Sequence, residues 1–297
     1  MDWESSINRY RQYLRFERGL AVNSVEAYLQ DVWKLRQFSD SRALDLAELS
    51  RQDIQAFLGW IHDFGVSAAT QARILSGLKS FFSFLKLEYD RSENPMELIQ
   101  PPRQERKLPD TLSIVEIDLL ISAVDLSTRE GTRNKAMLEV LYGCGLRVSE
   151  LTQLKISNLS LEEGFIKVER KGNKERLVPI GGITIKHLNT YLQEVRIHQK
   201  IKPGFEDFAF LNNRGTTLSR VMVFLVIRKL AAQVGIQKNI GPHTFRHSFA
   251  SHLVEGGADL RAVQDMLGHE SITTTEIYTH LDRDYLRSAI IHFHPRK

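Results

Sequence analysis

The feature of this sequence that most constrains its fold is a proline-rich stretch between two long helical patterns. Residues 90–110 show no hydrophobic period and contain Pro95, Pro101, Pro102 and Pro109. Because proline lacks a backbone donor and disrupts helix interiors, neither pattern can continue through this stretch. A chain of 297 residues is also about two domains long. We predict domains at residues 1–90 and 111–297 joined by a linker at 91–110; the alternative for 91–110 is a plain surface loop.

The N-terminal domain is predicted to consist of four helices. Trp3, Ile7, Tyr10 and Leu14 follow one another by four, three and four residues, which places them on one helical face. The next three helices are expected to begin at capping residues, two of which have a carboxylate three positions later. These predicted starts are Asn23 with Glu26, Ser50 with Asp53, and Ser67.

The C-terminal domain is predicted to be mostly helical with one small antiparallel β-sheet. Two short β-like runs, 165–168 and 176–179, flank the turn-forming residues 171–174. The predicted fold class is therefore mainly α, with a helical N-terminal domain and a sheet inserted into the second domain. The segment from Asp282 to Lys297 is expected to form an amphipathic helix with Tyr285, Ala289 and Phe293 on one face.

The composition excludes several classes of protein. The fractions of hydrophobic and charged residues, 42% and 26%, are close to the globular average, which excludes a disordered or collagenous chain. One cysteine cannot form an internal disulfide, so we expect a reducing, cytoplasmic environment. The acidic, polar start lacks the basic and apolar parts of a signal peptide, and no run approaches 18 apolar residues. We therefore expect no membrane association.

The charge of the chain is mildly basic and unevenly distributed. The formal net charge is +4, which permits a polyanionic partner without requiring one. Residues 1–107 hold 15 basic and 15 acidic side chains, so the whole excess lies in residues 108–297, with 25 basic and 21 acidic ones. The second domain is therefore where we look first for a polyanion site.

Four clusters in the second domain suggest phosphate chemistry. They are the turn 143–151 with Arg147 and Glu150, the residue Lys171, the group His243, Arg246 and His247, and the segment 268–278 with His269 and Tyr278. Guanidinium groups bind phosphate in a forked geometry, and tyrosine is an oxygen nucleophile once its high pKa is offset by neighbouring cations. Convergent carboxylates for Mg²⁺ are missing. The set predicts metal-free phosphoryl transfer through a covalent phosphotyrosine, with no cofactor.

Each of these residues also has a structural explanation. Scattered arginines and lysines are most often surface residues, and Tyr278 alone could be a half-buried packing residue. His243 and His247 could be a core pair or metal ligands. Cys144, beside the arginine turn, is interpreted as a small buried filler. The chemical interpretation therefore depends on the combination of residues.

The combination resembles the tyrosine site-specific recombinases, and among them the bacterial Xer recombinases. The residues that carry the resemblance are GLRVSEL around Arg147, Lys171, the HxxRH group at 243–247, LGH at 267–269 and TTTEIYTH around Tyr278. Residues 76–82 and 17–20 are similar to the Xer core-binding domain, so the resemblance covers essentially the whole chain. Phe245 stands where the family more commonly has leucine. The resemblance implies a SAM-like core-binding domain followed by a catalytic domain.

The resemblance also implies a role for each site residue. Tyr278 would attack the scissile phosphate and leave a 3′-phosphotyrosyl link, and Lys171 would protonate the departing 5′-oxygen. Arg147 and Arg246 would hold the non-bridging oxygens. The remaining implied roles are a hydrogen bond to the phosphate from His269, proton acceptance from Tyr278 by His243, orientation of Arg147 or His243 by Glu150, and a structural role for His247.

The implied partner is double-stranded DNA with a specific recombination site. The family acts as a tetramer on DNA, formed by identical chains or shared with a paralogous recombinase, and a DNA translocase is a possible activator. In the family the C-terminal helix docks on a neighbouring protomer; the alternative is that it packs on its own domain. Candidate DNA contacts are Arg73, Lys79, Arg103, Arg106 and Lys107.

The function that follows is recombination at a specific site, with resolution of chromosome dimers at cell division as its biological purpose. An integrase of a phage or other mobile element would use the same chemistry. Two other classes fit less well: a DNA-binding protein without catalysis, although every catalytic position is filled, and a metal-dependent phosphoesterase that uses His243, His247 and His269, which lack carboxylate partners.

Overall fold

The computed structural model describes residues 1–89, 93–102, 110–169, 175–268 and 280–296. The chain divides into two compact units, Met1–Lys107 and Leu108–Lys297. Within the predicted linker, Met96 and Ile99 are buried in the core of the first unit, so this part of the chain packs there and is not extended. Among the residues described, no helix has both the length and the apolar composition needed to cross a bilayer.

The first unit is helical, as predicted. Its helices are α1 (Trp3–Gln12), α2 (Val22–Ser41), α3 (Arg51–Asp63) and α4 (Ala68–Tyr89), and a π-helical turn, Tyr13–Glu17, continues α1. The predicted face of Trp3, Ile7, Tyr10 and Leu14 is buried in one core with residues from all four helices. The sequence pattern therefore identified both the helices and the side that packs.

Hydrogen bonds test all three of the predicted helix starts. At Ser67 the side chain accepts from a backbone N–H of the first turn and α4 begins at the next residue, so this start is confirmed. At Ser50 the side chain accepts from the Asp53 N–H, and the Asp53 carboxylate accepts from the Ser50 N–H, so this capping box is confirmed. At Asn23 the prediction was wrong. The helix begins earlier, at Val22, and no side chain caps it, because Asn23 already lies inside the first turn.

An ion pair between a buried carboxylate and a half-exposed guanidinium joins α2 and α4. Arg73 on α4 donates two hydrogen bonds to the carboxylate of Asp31 on α2, at 2.8 and 2.6 Å. Gly77, one turn further along α4, allows this approach, since a Cβ there would lie 2.6 Å from an Asp31 oxygen. Arg73, a candidate DNA contact, therefore also has a structural role, since it pairs with the buried carboxylate of Asp31. Lys79, the other candidate on this helix, is half-buried.

The second unit is mostly helical around one hydrophobic core. Its helices are α5 (Ile114–Ser122), α6 (Arg129–Gly143), α7 (Val148–Thr152), α8 (Gly182–Thr190), α9 (Arg220–Gln233), α10 (Pro242–Glu255), α11 (Leu260–Leu267) and α12 (His280–Phe293). Short π and 3₁₀ turns, Tyr191–Val195 and Arg196–His198, continue α8. Residues from most of these helices and from the sheet contribute to the core.

The inserted sheet is antiparallel, as predicted, and has three strands in chain order. They are β1 (Leu159–Ser160), β2 (Phe165–Glu169) and β3 (Glu175–Pro179). Val168 pairs with Arg176 and Ile166 with Val178. Because side chains alternate along a strand, Arg176 and Val178 point to the same, buried face. One arginine is thus directed into the interior of the unit.

The C-terminal helix α12 packs on its own unit. Leu286, Ala289 and Ile290 are buried in the core, whereas Tyr285 is 47% exposed. The predicted apolar face is confirmed at Ala289 and at Phe293, which packs partly buried against the core, and it is wrong at Tyr285, since Leu286 takes the buried position. After the helix, Arg296 donates hydrogen bonds to the carboxylates of Glu139 and Asp118, which fastens the end of the chain to the same unit.

Candidate active site

The site begins at a glycine turn between α6 and α7. Gly145 has φ +58°, in the left-handed region that favours glycine, and a Cβ there would lie 2.4 Å from the ring of Phe249. The turn therefore allows α6 and α10 to approach closely. Cys144 within it is fully buried, and burial raises the pKa of its thiol, which fits the interpretation as an inert filler.

Arg147 and Glu150 are joined by the start of α7. The N–H of Arg147 donates to Glu150 Oε2 at 2.8 Å, and its guanidinium Nη1 donates to Glu150 Oε1 at 3.0 Å. Nη1 also lies 3.4 Å from the carbonyl oxygen of Leu267. About a third of the Arg147 side chain, 34%, is exposed. Glu150 therefore orients an arginine that still reaches the surface.

Helix α10 contributes Arg246 and two histidines to one cleft. Arg246, 10% exposed, donates to the carbonyl oxygen of Gly145 at 2.7 Å and to that of Leu267 at 2.6 Å. His243 and His247, one turn apart, are exposed. All three line a cleft of about 330 Å³, with Asp110, Asn239 and Leu267 among its other walls. The helix places a buried cation at the base of the cleft and two imidazoles at its rim.

The carboxyl end of α11 is the third part of the site. Gly268 ends the helix in the left-handed conformation, and its N–H donates back to the carbonyls of Gln264 and Asp265. The last two helical carbonyls, of Met266 and Leu267, accept hydrogen bonds from arginines. Cations are favoured at a helix carboxyl end, where unpaired carbonyls carry partial negative charge. The arginines therefore hold the carboxyl end of α11 in place.

Arg176 on β3 is a site residue that the sequence interpretation missed. Its Nη1 and Nη2 each donate to one oxygen of Glu150 at 2.8 Å, and its Nε donates to the Met266 carbonyl at 2.7 Å. The side chain is 3% exposed. The signal that could have found it is its place two residues before Val178, on the apolar face of a predicted strand.

Glu150 is the electrostatic centre of the site. Burial opposes ionisation of its carboxyl, but the hydrogen bonds and charge of Arg176, and then of Arg147, outweigh burial and lower its pKa to about 2. Arg246 Nη1 lies 3.8 Å from the same carboxylate. One carboxylate thus faces three guanidinium groups. These four groups carry an excess of two positive charges at the cleft, which favours an anionic ligand.

The structure brings together the predicted residues Arg147, Glu150, His243, Arg246 and His247. Other predicted residues lie outside the described residues, and they are Lys171, His269 and Tyr278 of the site and Arg103, Arg106 and Lys107 of the linker. Within the described ranges, no group of three His, Cys, Asp or Glu side chains is arranged to hold a metal ion.

Comparisons with known proteins identify the family. The model of the phage integrase family matches residues 111–284, and the model of the phage integrase N-terminal SAM-like domain matches residues 7–89. Tyrosine recombinase XerD of Staphylococcus saprophyticus is 42% identical over 294 residues, which is 99% of each chain.

Solved structures agree in fold. The XerA recombinase is 30% identical and superposes with a TM-score of 0.51, covering the whole of both chains. The post-cleavage complex of the XerH site-specific recombinase is 25% identical, with a TM-score of 0.70 over 96% of this chain and 83% of that one. The two family models and the XerD relative that is 42% identical assign the chain to the same family. The chain belongs to the phage integrase family and is a site-specific tyrosine recombinase.

Proposed function

We propose that Arg147 and Arg246 bind the two non-bridging oxygens of one scissile phosphate. The observation that supports this is their convergence on a single atom, the carbonyl oxygen of Leu267, at 3.4 and 2.6 Å. Two guanidinium nitrogens that share an acceptor are at most about 6 Å apart, a separation one phosphate can bridge. The excess positive charge around Glu150 favours the phosphate and the further negative charge of a pentacoordinate transition state.

The proposed chemical step forms one bond and breaks another. The Oη of Tyr278 attacks phosphorus, the bond from phosphorus to the 5′-oxygen breaks, and a 3′-phosphotyrosine and a free 5′-hydroxyl result. The tyrosine proton passes to His243, whose exposed position on the cleft rim suits that role. Lys171 supplies the proton to the 5′-oxygen, and His269 donates a hydrogen bond to the phosphate. His247, on the same rim, has a supporting structural role.

The phosphotyrosine keeps the energy of the broken bond, so a 5′-hydroxyl of a second strand can reverse the step. Exchange of strands therefore needs two duplexes and several active sites. Related proteins have been solved as XerH bound to its difH DNA and as a lambda integrase tetramer on a Holliday junction, which supports DNA as partner and an oligomer as the working form. For this chain we propose a tetramer on a specific DNA site, in which α12 leaves its place on its own unit and docks on a neighbouring protomer.

The biological role we propose is resolution of chromosome dimers at cell division, in the cytoplasm, with a paralogous recombinase as a candidate partner and a DNA translocase as a candidate activator. The support is the resemblance to Xer recombinases over nearly the whole chain. Cells that lack the gene should accumulate joined daughter chromosomes. If only the excision of one mobile element fails in those cells, the protein is an integrase of that element.

The experiment that tests the chemistry uses a nicked suicide substrate, in which the strand end diffuses away after cleavage and traps the covalent intermediate. With a chelator in excess, the wild-type protein should form a DNA adduct that resists detergent. The Tyr278→Phe variant should form none while still binding DNA in a gel-shift assay. Absence of the adduct with wild type contradicts the proposal, and its loss only on chelation indicates a metal-dependent phosphoesterase.

A further inference from the structure

Arg176 uses all three of its guanidinium nitrogens inside the protein. Both terminal nitrogens contact Glu150, and Nε contacts the Met266 carbonyl, all within 2.8 Å. With the side chain 3% exposed, Arg176 cannot reach a bound phosphate. Arg176 can therefore act on the reaction only through the groups that it holds.

Those groups are the same ones that hold the two proposed phosphate ligands. Glu150 accepts from Arg147 as well as from Arg176. The carboxyl end of α11 accepts from Arg176 at Met266 and from Arg246 at Leu267. Arg176 thus ties β3, α7 and the end of α11 together through one side chain.

We propose that Arg176 is a positioning residue for phosphate binding, an inference that rests on the proposed function of Arg147 and Arg246. Arg176 satisfies both oxygens of Glu150 in bidentate geometry and keeps the α11 end in register. Arg147 is then held against Glu150 by one side of its guanidinium, and its exposed part remains for the substrate.

The physical reason is competition for one buried carboxylate. Glu150 is buried and charged, and such a group must be paired. Without Arg176, the nearest cations are Arg147 at 3.0 Å and Arg246 at 3.8 Å. These would turn further towards Glu150 to replace the lost partner. They would then be less available to a phosphate, although the fold and the catalytic groups themselves were unchanged.

The test compares cleavage of two suicide substrates by Arg176→Lys. A lysine keeps the positive charge but cannot contact both Glu150 oxygens and the Met266 carbonyl together. One substrate has an ordinary scissile phosphate. In the other, a methyl group replaces one non-bridging oxygen, so the group is neutral and depends less on guanidinium ligands. The matched control is Arg133→Lys, since Arg133 is also a buried arginine, and its hydrogen bonds within the described residues go to Leu211, Asn134 and Asn213, away from the site.

We expect Arg176→Lys to slow cleavage of the ordinary phosphate by about 100-fold, because misplacing a binding group by about an ångström has an effect of this size. Cleavage of the neutral substrate should slow by less than about tenfold. Arg133→Lys should slow neither. A variant that is merely less stable loses the same factor on both substrates, and that result, or no slowing at all, overturns the proposal.

A second comparison covers the case in which Arg176→Lys folds poorly. The double variant Arg176→Met with Glu150→Gln loses the arginine and also the buried negative charge that the arginine neutralised. Arg147 is then no longer drawn towards an unpaired carboxylate. This double variant should melt higher and cleave faster than Arg176→Met alone; equal or slower cleavage contradicts the proposal. Failure of the wild-type adduct would instead refute the proposed function, so the two failures are distinguishable.

Discussion

Substituting Gly145 by alanine should damage stability and the phosphate site together. At φ +58° any residue with a Cβ is strained, and this Cβ would overlap the Phe249 ring, whose nearest carbons lie at 2.4 and 2.7 Å. Left-handed backbone costs a non-glycine residue about 1–2 kcal/mol. Overpacking a buried ring costs about 1–3 kcal/mol more, so the free energy of unfolding should fall by about 2–5 kcal/mol.

A matched glycine separates the two contributions. Gly235 has φ +73°, and a Cβ there meets no atom within 4 Å. Gly235→Ala should therefore lose only the backbone cost of about 1–2 kcal/mol. Urea denaturation of both variants gives the difference. Far-UV circular dichroism follows the helices of both units, whereas tryptophan fluorescence follows the first unit alone, since all three tryptophans, at positions 3, 33 and 60, lie there. A transition seen by circular dichroism and not by fluorescence therefore belongs to the second unit.

The functional consequence follows from the same turn. The Gly145 carbonyl accepts from Arg246, and Arg147 is only two residues further on. A displacement of about an ångström should reduce suicide-substrate cleavage by about 100-fold in protein that is still folded. Adding Phe249→Leu should return part of both losses, because it removes the overlap. Equal unfolding free energies for the two alanine variants, or full activity in Gly145→Ala, would refute the steric reasoning.

Two further predictions concern a proton donor and a buried histidine. Lys171→Ala should cleave ordinary DNA slowly but recover on a substrate with sulfur in place of the 5′-bridging oxygen, because a thiolate leaves without an acid; a lack of recovery removes Lys171 from that role. Burial, and then the charge of His252, lower the pKa of His294 from 6.5 to about 3, so the folded state favours the neutral ring. Below pH 6.5 the unfolded chain binds a proton at this histidine and the folded chain does not. The free energy of unfolding is therefore unaffected by this group above pH 6.5 and decreases as the pH falls towards 3. His294→Phe should flatten the fall in urea midpoint between pH 7.5 and 4.5, and an unchanged pH dependence would contradict this assignment.

The sequence was sufficient for the local features of the fold. Hydrophobic periodicity located the helices of the first unit, and the Ser50 and Asp53 pair located a helix start, because a cap depends only on residues within one turn. The same holds for the glycine turn before Arg147 and for the two longer strands. Asn23 shows the limit of such patterns, because the helix begins one residue before it, at Val22, without a side-chain cap.

The motif residues were recognised from sequence, but their convergence is a property of the tertiary structure. Arg147 and Arg246 meet at Leu267, which is 120 and 21 residues away in the chain. No local pattern encodes an acceptor at such a distance. The face of α12 was also decided by the unit on which it packs, since Tyr285 satisfies the helical period as well as Leu286 does but is left exposed.

Arg176 shows most clearly what the sequence alone determined and what it did not. The alternation along β3 determined that its side chain points inward, beside Val178. Only the tertiary structure decided that it meets Glu150, 26 residues away, and Met266, 90 residues away. The physical reason is that a buried guanidinium needs several oxygen partners, and these are assembled from separate elements only when the core closes around them.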